Sequence, residues 1–149
     1  MKKWLFSVLL SVVALSLSAL PVIVLPEKPT LQEKTAAREL ALHLKLVCGK
    51  ELSVTTENLA GRGGQLIYVG ATGFAAVQKT ALEKFAPEEW LVKAVDESRL
   101  ILAGGFPRGT LYAVYEYLER NHGFLWPDVK SVYCKKDKNI HLLNFQNDL

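Results

Sequence analysis

The chain has few of the residues and motifs on which the commonest catalytic and cofactor sites are built. It contains only two cysteines and three histidines, and these do not cluster at the spacing of a zinc site. It has no G-x-x-x-x-G-K-[ST] or G-x-G-x-x-G phosphate-binding motif and no G-x-S-x-G nucleophile motif. We therefore predict no metal site, no cofactor and no catalytic residue in this chain.

The sequence also lacks a strong excess of charge of either sign. Eighteen basic and 15 acidic residues give a formal net charge of +3 over 149 residues. The basic segment 135–138 is short, is interrupted by Asp137, and is typical of a solvated tail. We therefore do not expect a nucleic-acid partner.

What the N-terminus does contain is the pattern of a secretory signal. Two lysines precede a charge-free run from Trp4 to Leu15, and small residues follow. We predict that residues 1–18 are a signal peptide, cleaved after Ser18 or Ala19, and that the protein is exported to the periplasm or the cell exterior. Cleavage lowers the net charge to about +1, because it removes both lysines.

A membrane anchor is the alternative interpretation of the N-terminus, since no charge occurs between Trp4 and Pro26. Pro21 and Pro26 argue against a continuous helix, and the intervening VIVL is typical of a first strand. We expect no stable membrane association after cleavage.

Export changes the interpretation of the two cysteines. Outside the cytoplasm, Cys48 and Cys134 could form a disulfide that closes most of the mature chain. The alternative is two separately buried thiols, and the spacing does not decide between them.

The clearest predicted element is an amphipathic helix after the first strand. Thr30 and Glu33 have the spacing of a capping box, in which both side chains accept hydrogen bonds from backbone N–H groups of the first turn. Gly49 follows where a left-handed residue commonly ends a helix. The apolar positions at helical spacing between them are Ala37, Leu40, Ala41, Leu44, Val47 and Cys48.

The rest of the chain alternates between strand and helix patterns. The predicted segments are strands at 52–54, 65–70, 90–95, 99–104 and 131–134 and helices at 72–85 and 107–120. The strands at 90–95 and 99–104 are predicted to form a hairpin. We therefore predict an α/β fold with a mixed sheet of about five to six strands and three helices, in a two- or three-layer sandwich. We place the domain at residues 20–135 and a C-terminal tail at 136–149.

The segment GGFPRG, residues 104–109, joins a predicted strand to a predicted helix. A glycine-rich turn at a helix N-terminus can bind an anion, with Arg108 as a bidentate partner. However, the segment has no lysine for a terminal phosphate, and Pro107 removes one N–H donor. We favour a structural role, in which the first two glycines form the turn and Gly109 allows the helix to approach the sheet closely.

No other polar residues form a convincing active site. Glu88 and Glu89 are adjacent, and adjacent side chains of an extended segment face opposite ways, so they do not form the opposed acid and base of a glycosidase. We expect His43, His122 and His141 to be ordinary surface or capping histidines.

A longer stretch carries a family resemblance. LILAGGFPRGTLYAVYEYLER, followed by GFLWP, resembles the end of the small α/β domain that precedes the catalytic barrel in bacterial glycoside hydrolases related to family 67 alpha-glucuronidases and family 20 beta-hexosaminidases. Residues 23–52 and 65–72 resemble the first strand and helix and the next buried strand of that domain. The resemblance covers residues 21–127, and its most specific part is G-x-P-R-G-T-L-Y-x-V-Y-E.

The resemblance implies an exported, non-catalytic accessory domain for polysaccharide degradation, with a (β/α)8 barrel or a carbohydrate as partner. No residue matches a catalytic position of that family, and the barrel is absent from this chain. Arg108, Tyr112 and Trp126 are the candidate binding or domain-interface residues. Trp126 is expected either to stack on a sugar or to fold back over the core.

Two other classes of function stay open. The first alternative to an accessory domain is an independent carbohydrate-binding module, which needs an exposed aromatic platform. The second is a small binding protein that holds an anionic ligand in the 104–109 turn.

Overall fold

The computed structural model describes residues 19–128 and 130–142, in which strands and helices alternate. The strands are β1 Val22–Leu25, β2 Val54–Thr56, β3 Leu66–Val69, β4 Trp90–Asp96, β5 Arg99–Gly104, β6 Leu125–Asp128 and β7 Ser131–Tyr133, and the helices are α1 Leu31–Cys48, α2 Gly73–Val77 and α3 Gly109–His122. The predicted signal peptide lies outside the described residues. Within those residues, no helix combines the length and the apolarity needed to cross a membrane.

Five strands form one mixed sheet, and the predicted α/β class is confirmed. The strand order is β2-β1-β3-β5-β4, in which β2, β1, β3 and β5 are parallel and β4 is antiparallel to β5. The predicted hairpin therefore exists. Strands β6 and β7 form a separate antiparallel pair, and β6 was not predicted.

The sheet separates two unequal apolar clusters. Helices α1 and α3 pack together on one face, over alternate residues of β1, β3 and β5. Among the described residues, the opposite face is covered by α2, a 3-10 turn at Leu82–Lys84, and loops. The larger cluster includes the fully buried side chains of Ile23, Leu40, Leu44, Ile67, Leu100, Leu102, Tyr117, Leu118 and Phe124.

Helix α1 begins and ends as predicted. The Thr30 hydroxyl accepts a hydrogen bond from the Glu33 N–H at 3.2 Å, and the Glu33 carboxylate accepts one from the Thr30 N–H at 2.8 Å. Gly49 has a φ of 72° and donates its N–H to the Lys45 carbonyl. The N-terminal cap stabilises the domain by about 1 kcal/mol.

Helix α2 is much shorter than predicted. It ends at Val77, and Lys79 and Ala81 then have positive φ angles of 54° and 51°. The Thr80 hydroxyl donates to the Ala75 carbonyl at 3.0 Å, which gives the chain a local alternative to further helical bonding. Val77, the last residue of this short helix, is 75% exposed.

Helix α3 begins two residues later than predicted and ends two residues later. The N–H of Gly109 donates to the Gly105 carbonyl, so Pro107 belongs to the preceding turn rather than to the first helical turn. The helix ends at His122, where Gly123 provides a left-handed cap with a φ of 63°.

The packed domain extends beyond the boundary predicted at residue 135. The side chains of Ile140 and Leu142 are 4% exposed and join the larger apolar cluster. The Asp137 N–H donates to the Val47 carbonyl at 3.1 Å, at the end of α1. Residues 136–142 therefore form a closing segment over the C-terminal ends of α1 and α3, in which Lys136, Lys138, Asn139 and His141 are exposed and Ile140 and Leu142 are buried.

We predict that Ile140→Ala lowers the free energy of unfolding by about 3 kcal/mol, because it leaves a cavity in the larger cluster. The matched control is Leu59→Ala, since Leu59 is 76% exposed and its truncation removes little packing. Urea denaturation of both variants measures the difference. Equal midpoints for the two variants would show that the closing segment is not part of the core.

Candidate functional site

The turn at residues 104–109 packs backbone to backbone against the loop that contains Ala86 and Glu89. A methyl group on Gly105 would collide with the Ala86 carbonyl, and one on Gly104 or Gly109 would collide with the Glu89 carbonyl. The N–H of Gly105 donates to the Glu89 carbonyl and that of Gly109 donates to the Gly105 carbonyl, both at 2.8 Å. The glycines thus allow close packing, and their N–H groups are already paired.

Arg108 joins this turn to the preceding loop. Its guanidinium donates to the Glu88 carboxylate, and both side chains are more than half exposed, so the pair contributes at most about 1 kcal/mol. The Glu89 carboxylate accepts from the Ala86 N–H at 3.0 Å. As expected, the two glutamates make separate contacts and do not oppose each other as an acid and base.

The position at which open α/β sheets commonly bind ligands is occupied by Glu33. Because β2 and β3 lie on opposite sides of β1, the sheet reverses its winding between β1 and β3, and ligands bind outside the carboxyl ends of such strands. The buried Glu33 carboxylate accepts from the Ala71 N–H at 2.8 Å there, in addition to capping α1. A side chain at Gly70, where φ is 92°, would collide with it.

A second carboxylate caps the next helix. Both oxygens of Glu57 accept from the Gly73 N–H at 2.9 Å, at the first residue of α2. Glu33 and Glu57 therefore place negative charge where an anionic ligand would otherwise be stabilised by backbone donors. This arrangement argues against a phosphate or nucleotide site at this edge.

The best candidate site is an open groove on the outer side of α3. It has a volume of about 570 Å³ and contains two of the three predicted binding residues, Tyr112 and Trp126. The complete lining is Trp90 from β4, Tyr112, Tyr115, Glu116 and Glu119 from α3, and Trp126 from β6. Arg108 is not part of the lining. We call this feature the aromatic groove.

The rings of the aromatic groove form two edge-to-face pairs. The centroids of Trp90 and Tyr112 are 6.2 Å apart with an interplanar angle of 83°, and those of Tyr115 and Trp126 are 5.2 Å apart at 87°. The Tyr115 hydroxyl is 3.4 Å from the Glu39 carboxylate, to which it donates. Burial and this negative charge raise the pKa of Tyr115, so the hydroxyl stays protonated.

His43 lies beneath the aromatic groove rather than on the surface, which corrects our expectation. The residue is 6% exposed, and its ring meets Tyr115, Phe124 and Trp126 edge-on. Its Nδ1–H donates to the Glu39 carbonyl at 2.7 Å. His43 therefore supports Trp126 from the core side.

His122 is also buried, again contrary to expectation. Its Nε2 is 3.1 Å from the Tyr117 hydroxyl, which donates to the His141 carbonyl at 2.9 Å. The pKa of His122 is lowered to about 4, mainly by burial and also by the charge of His141, while Asp137 opposes the shift. His141 itself is about half exposed and 3.7 Å from Asp137.

A second cavity, of about 580 Å³, lies at the carboxyl ends of β3 and β5. Its lining includes Lys79, Glu83 and one aromatic ring, that of Phe106, among mostly small side chains. It lacks the convergent aromatic and acidic side chains of the aromatic groove.

Cys48 and Cys134 are not bonded to each other in this structure, and a disulfide between them stays a prediction. Cys48 and Cys134 are both partly buried at the margin of the larger apolar cluster, and the Cys48 Sγ lies 3.4 Å from the Lys50 carbonyl. Among the described ranges, no group of three or more His, Cys, Asp or Glu side chains is arranged to hold a metal ion.

No protein-family model matches this chain, and no curated protein matches it either.

Sequence reasoning missed four of the six residues that line the aromatic groove: Trp90, Tyr115, Glu116 and Glu119. One signal was available, because Tyr112, Tyr115, Glu116 and Glu119 recur at the spacing of a single helix face. Trp90 carried no such signal, since only the sheet brings it beside α3.

We predict that Gly105→Ala lowers the free energy of unfolding by about 1–3 kcal/mol, because the methyl group must displace the Ala86 carbonyl. Gly63→Ala is the control: nothing lies within 4 Å of the added methyl group, so stability is unchanged or increases by up to about 1 kcal/mol. Chemical denaturation compares the two. Tolerance of alanine at residue 105 would contradict the close-packing role.

We predict that stability falls as the pH decreases from about 6.5 to 4. In this range the unfolded chain protonates His122 at its ordinary pKa of 6.5 and the folded chain does not, which costs on the order of 3 kcal/mol. His122→Gln keeps a donor for Tyr117 and should flatten this dependence. Unfolding curves at several pH values measure it, and parallel profiles for wild type and variant would refute the assignment.

Proposed function

We propose that the chain is a non-catalytic accessory α/β domain of an exported glycoside hydrolase that acts on polysaccharides. The observation that carries this proposal is the aromatic groove. Tyr112 and Trp126 come from the two segments that resemble the glycoside hydrolase domain, and they converge with Trp90 on one open surface. Such a surface is suited to a partner domain or a sugar, because both bury or stack on exposed rings.

The carboxylates of the groove support a non-catalytic role. Glycosidases place two carboxyl groups on either side of the scissile bond. Glu116 and Glu119 lie on the same helix, on one wall of the groove, and Glu116 is paired with Arg120. Two groups on one wall do not flank a bond from opposite sides.

The turn at residues 104–109 has a supporting role in this proposal. The N–H groups of Gly105 and Gly109 are paired within the domain, and the Arg108 side chain is paired with Glu88. These contacts argue against the alternative of a small protein that holds an anionic ligand in the turn.

A carbohydrate-binding module is the second candidate function. The observation in its favour is the exposure of the rings, since Trp90 is 46% exposed while its partner Tyr112 holds it in a fixed orientation. In this case the chain would act without a barrel, by retaining a glycan on its own surface.

We expect the purified chain to release no sugar from aryl-glycosides or oligosaccharides, and to bind a family 67 or family 20 type barrel that lacks its own small domain. Product analysis and titration calorimetry measure the two properties. Trp126→Ala should weaken barrel binding, and Tyr133→Ala, which removes a 63% exposed ring outside the groove, should not. Hydrolysis by the chain alone, or no association with any such barrel, would overturn the accessory role.

A further inference from the structure

We infer that the aromatic groove binds glycan chains without acidic groups, and that Glu119 is the residue that selects against acidic sugars and in favour of amine-bearing ones. This inference rests on the carbohydrate-related function proposed above and names the chemical class of ligand that the groove accepts.

The arrangement of the rings fits a chain of sugars. Tyr112 belongs to one edge-to-face pair and Tyr115 to the other, and the two residues are three positions apart on α3. Three helical residues advance by about 4.5 Å along the axis, a distance comparable to the length of one pyranose ring. The groove therefore offers two aromatic contacts separated along α3 by less than one helical turn, a spacing on the scale of one sugar residue.

The rings are held in place before any ligand binds. Trp126 stacks on Phe124 at 5.5 Å with an interplanar angle of 17°, and His43 contacts its ring from the core side at 5.8 Å. A binding surface whose side chains are already ordered loses less conformational entropy on binding. This support favours recognition of a specific ligand face over nonspecific adhesion.

The charge of the groove decides the class of sugar. Glu116 and Glu119 are the charged residues of its lining. Arg120 neutralises Glu116, whereas Glu119 is exposed and its carboxylate makes no hydrogen bond or ion pair within the described ranges. An unpaired carboxylate beside aromatic faces accepts hydrogen bonds from hydroxyls, attracts ammonium groups and repels uronic acids.

The experiment is affinity gel electrophoresis of the intact chain in gels that contain a neutral xylan, the amine-bearing polymer glycol chitosan, or polygalacturonate. We expect retardation by xylan and, more strongly, by glycol chitosan, with none by polygalacturonate. Added salt should weaken only the glycol chitosan interaction, because charge contributes to that interaction alone.

Two pairs of variants locate the effect. Trp90→Ala should weaken binding of both retained glycans by about tenfold, while Tyr133→Ala, outside the groove, should not. Glu119→Gln should lower glycol chitosan binding by about threefold without changing xylan binding, while Glu97→Gln, in the exposed β4–β5 turn, should leave both unchanged.

Retardation by polygalacturonate, or by none of the polymers, would overturn the inference. Equal effects of the two glutamine variants would remove the selective role of Glu119. Glycan binding without barrel binding would leave this inference intact and refute the accessory-domain proposal, and the reverse result would do the opposite.

Discussion

The structure depends on the close approach of two backbone segments, the turn at residues 104–109 and the loop at residues 86–89. A side chain on any of the three glycines of the turn would collide with the backbone there. Gly105 donates its N–H to the carbonyl of Glu89, the residue immediately before Trp90. The same turn leads into α3, which carries Tyr112. One backbone contact thus sets the distance between the strand that holds Trp90 and the helix that faces it. The glycines contribute to the aromatic groove by positioning its walls, although they do not line it.

Local chemistry predicted the elements that depend on neighbouring residues, such as the capping box at Thr30 and the β4–β5 hairpin. The prediction was wrong where a competing local bond or a distant contact decides the structure. The helix predicted over 72–85 ends early because the Thr80 hydroxyl donates to the Ala75 carbonyl, a local bond that competes with further helical bonding. His43 was predicted to lie on the surface, but Trp126 of β6 packs against its ring and buries it. Four of the six lining residues of the candidate site follow the helical spacing on α3, while Trp90 reaches it only through strand pairing.

Two carboxylates, those of Glu33 and Glu57, argue against a phosphate site at the carboxyl ends of the parallel strands, where open α/β sheets commonly bind ligands. Glu33 and Glu57 accept backbone N–H donors beside the carboxyl ends of β1 and β3. Because these carboxylates already accept hydrogen bonds from the N–H groups of Ala71 and Gly73, those donors are not available to a ligand. The outer surface of α3 differs, because the rings of the aromatic groove and the Glu119 carboxylate are accessible there.

The closing segment has a consequence for how the chain acquires its shape during translation. Its buried side chains, Ile140 and Leu142, lie about 100 residues beyond the helix α1 that they help to cover. A ribosome therefore exposes the sheet and both long helices before the residues that complete their packing have left the exit tunnel. Until then the nascent domain presents an incomplete apolar face, the kind of surface that favours aggregation or chaperone binding during folding.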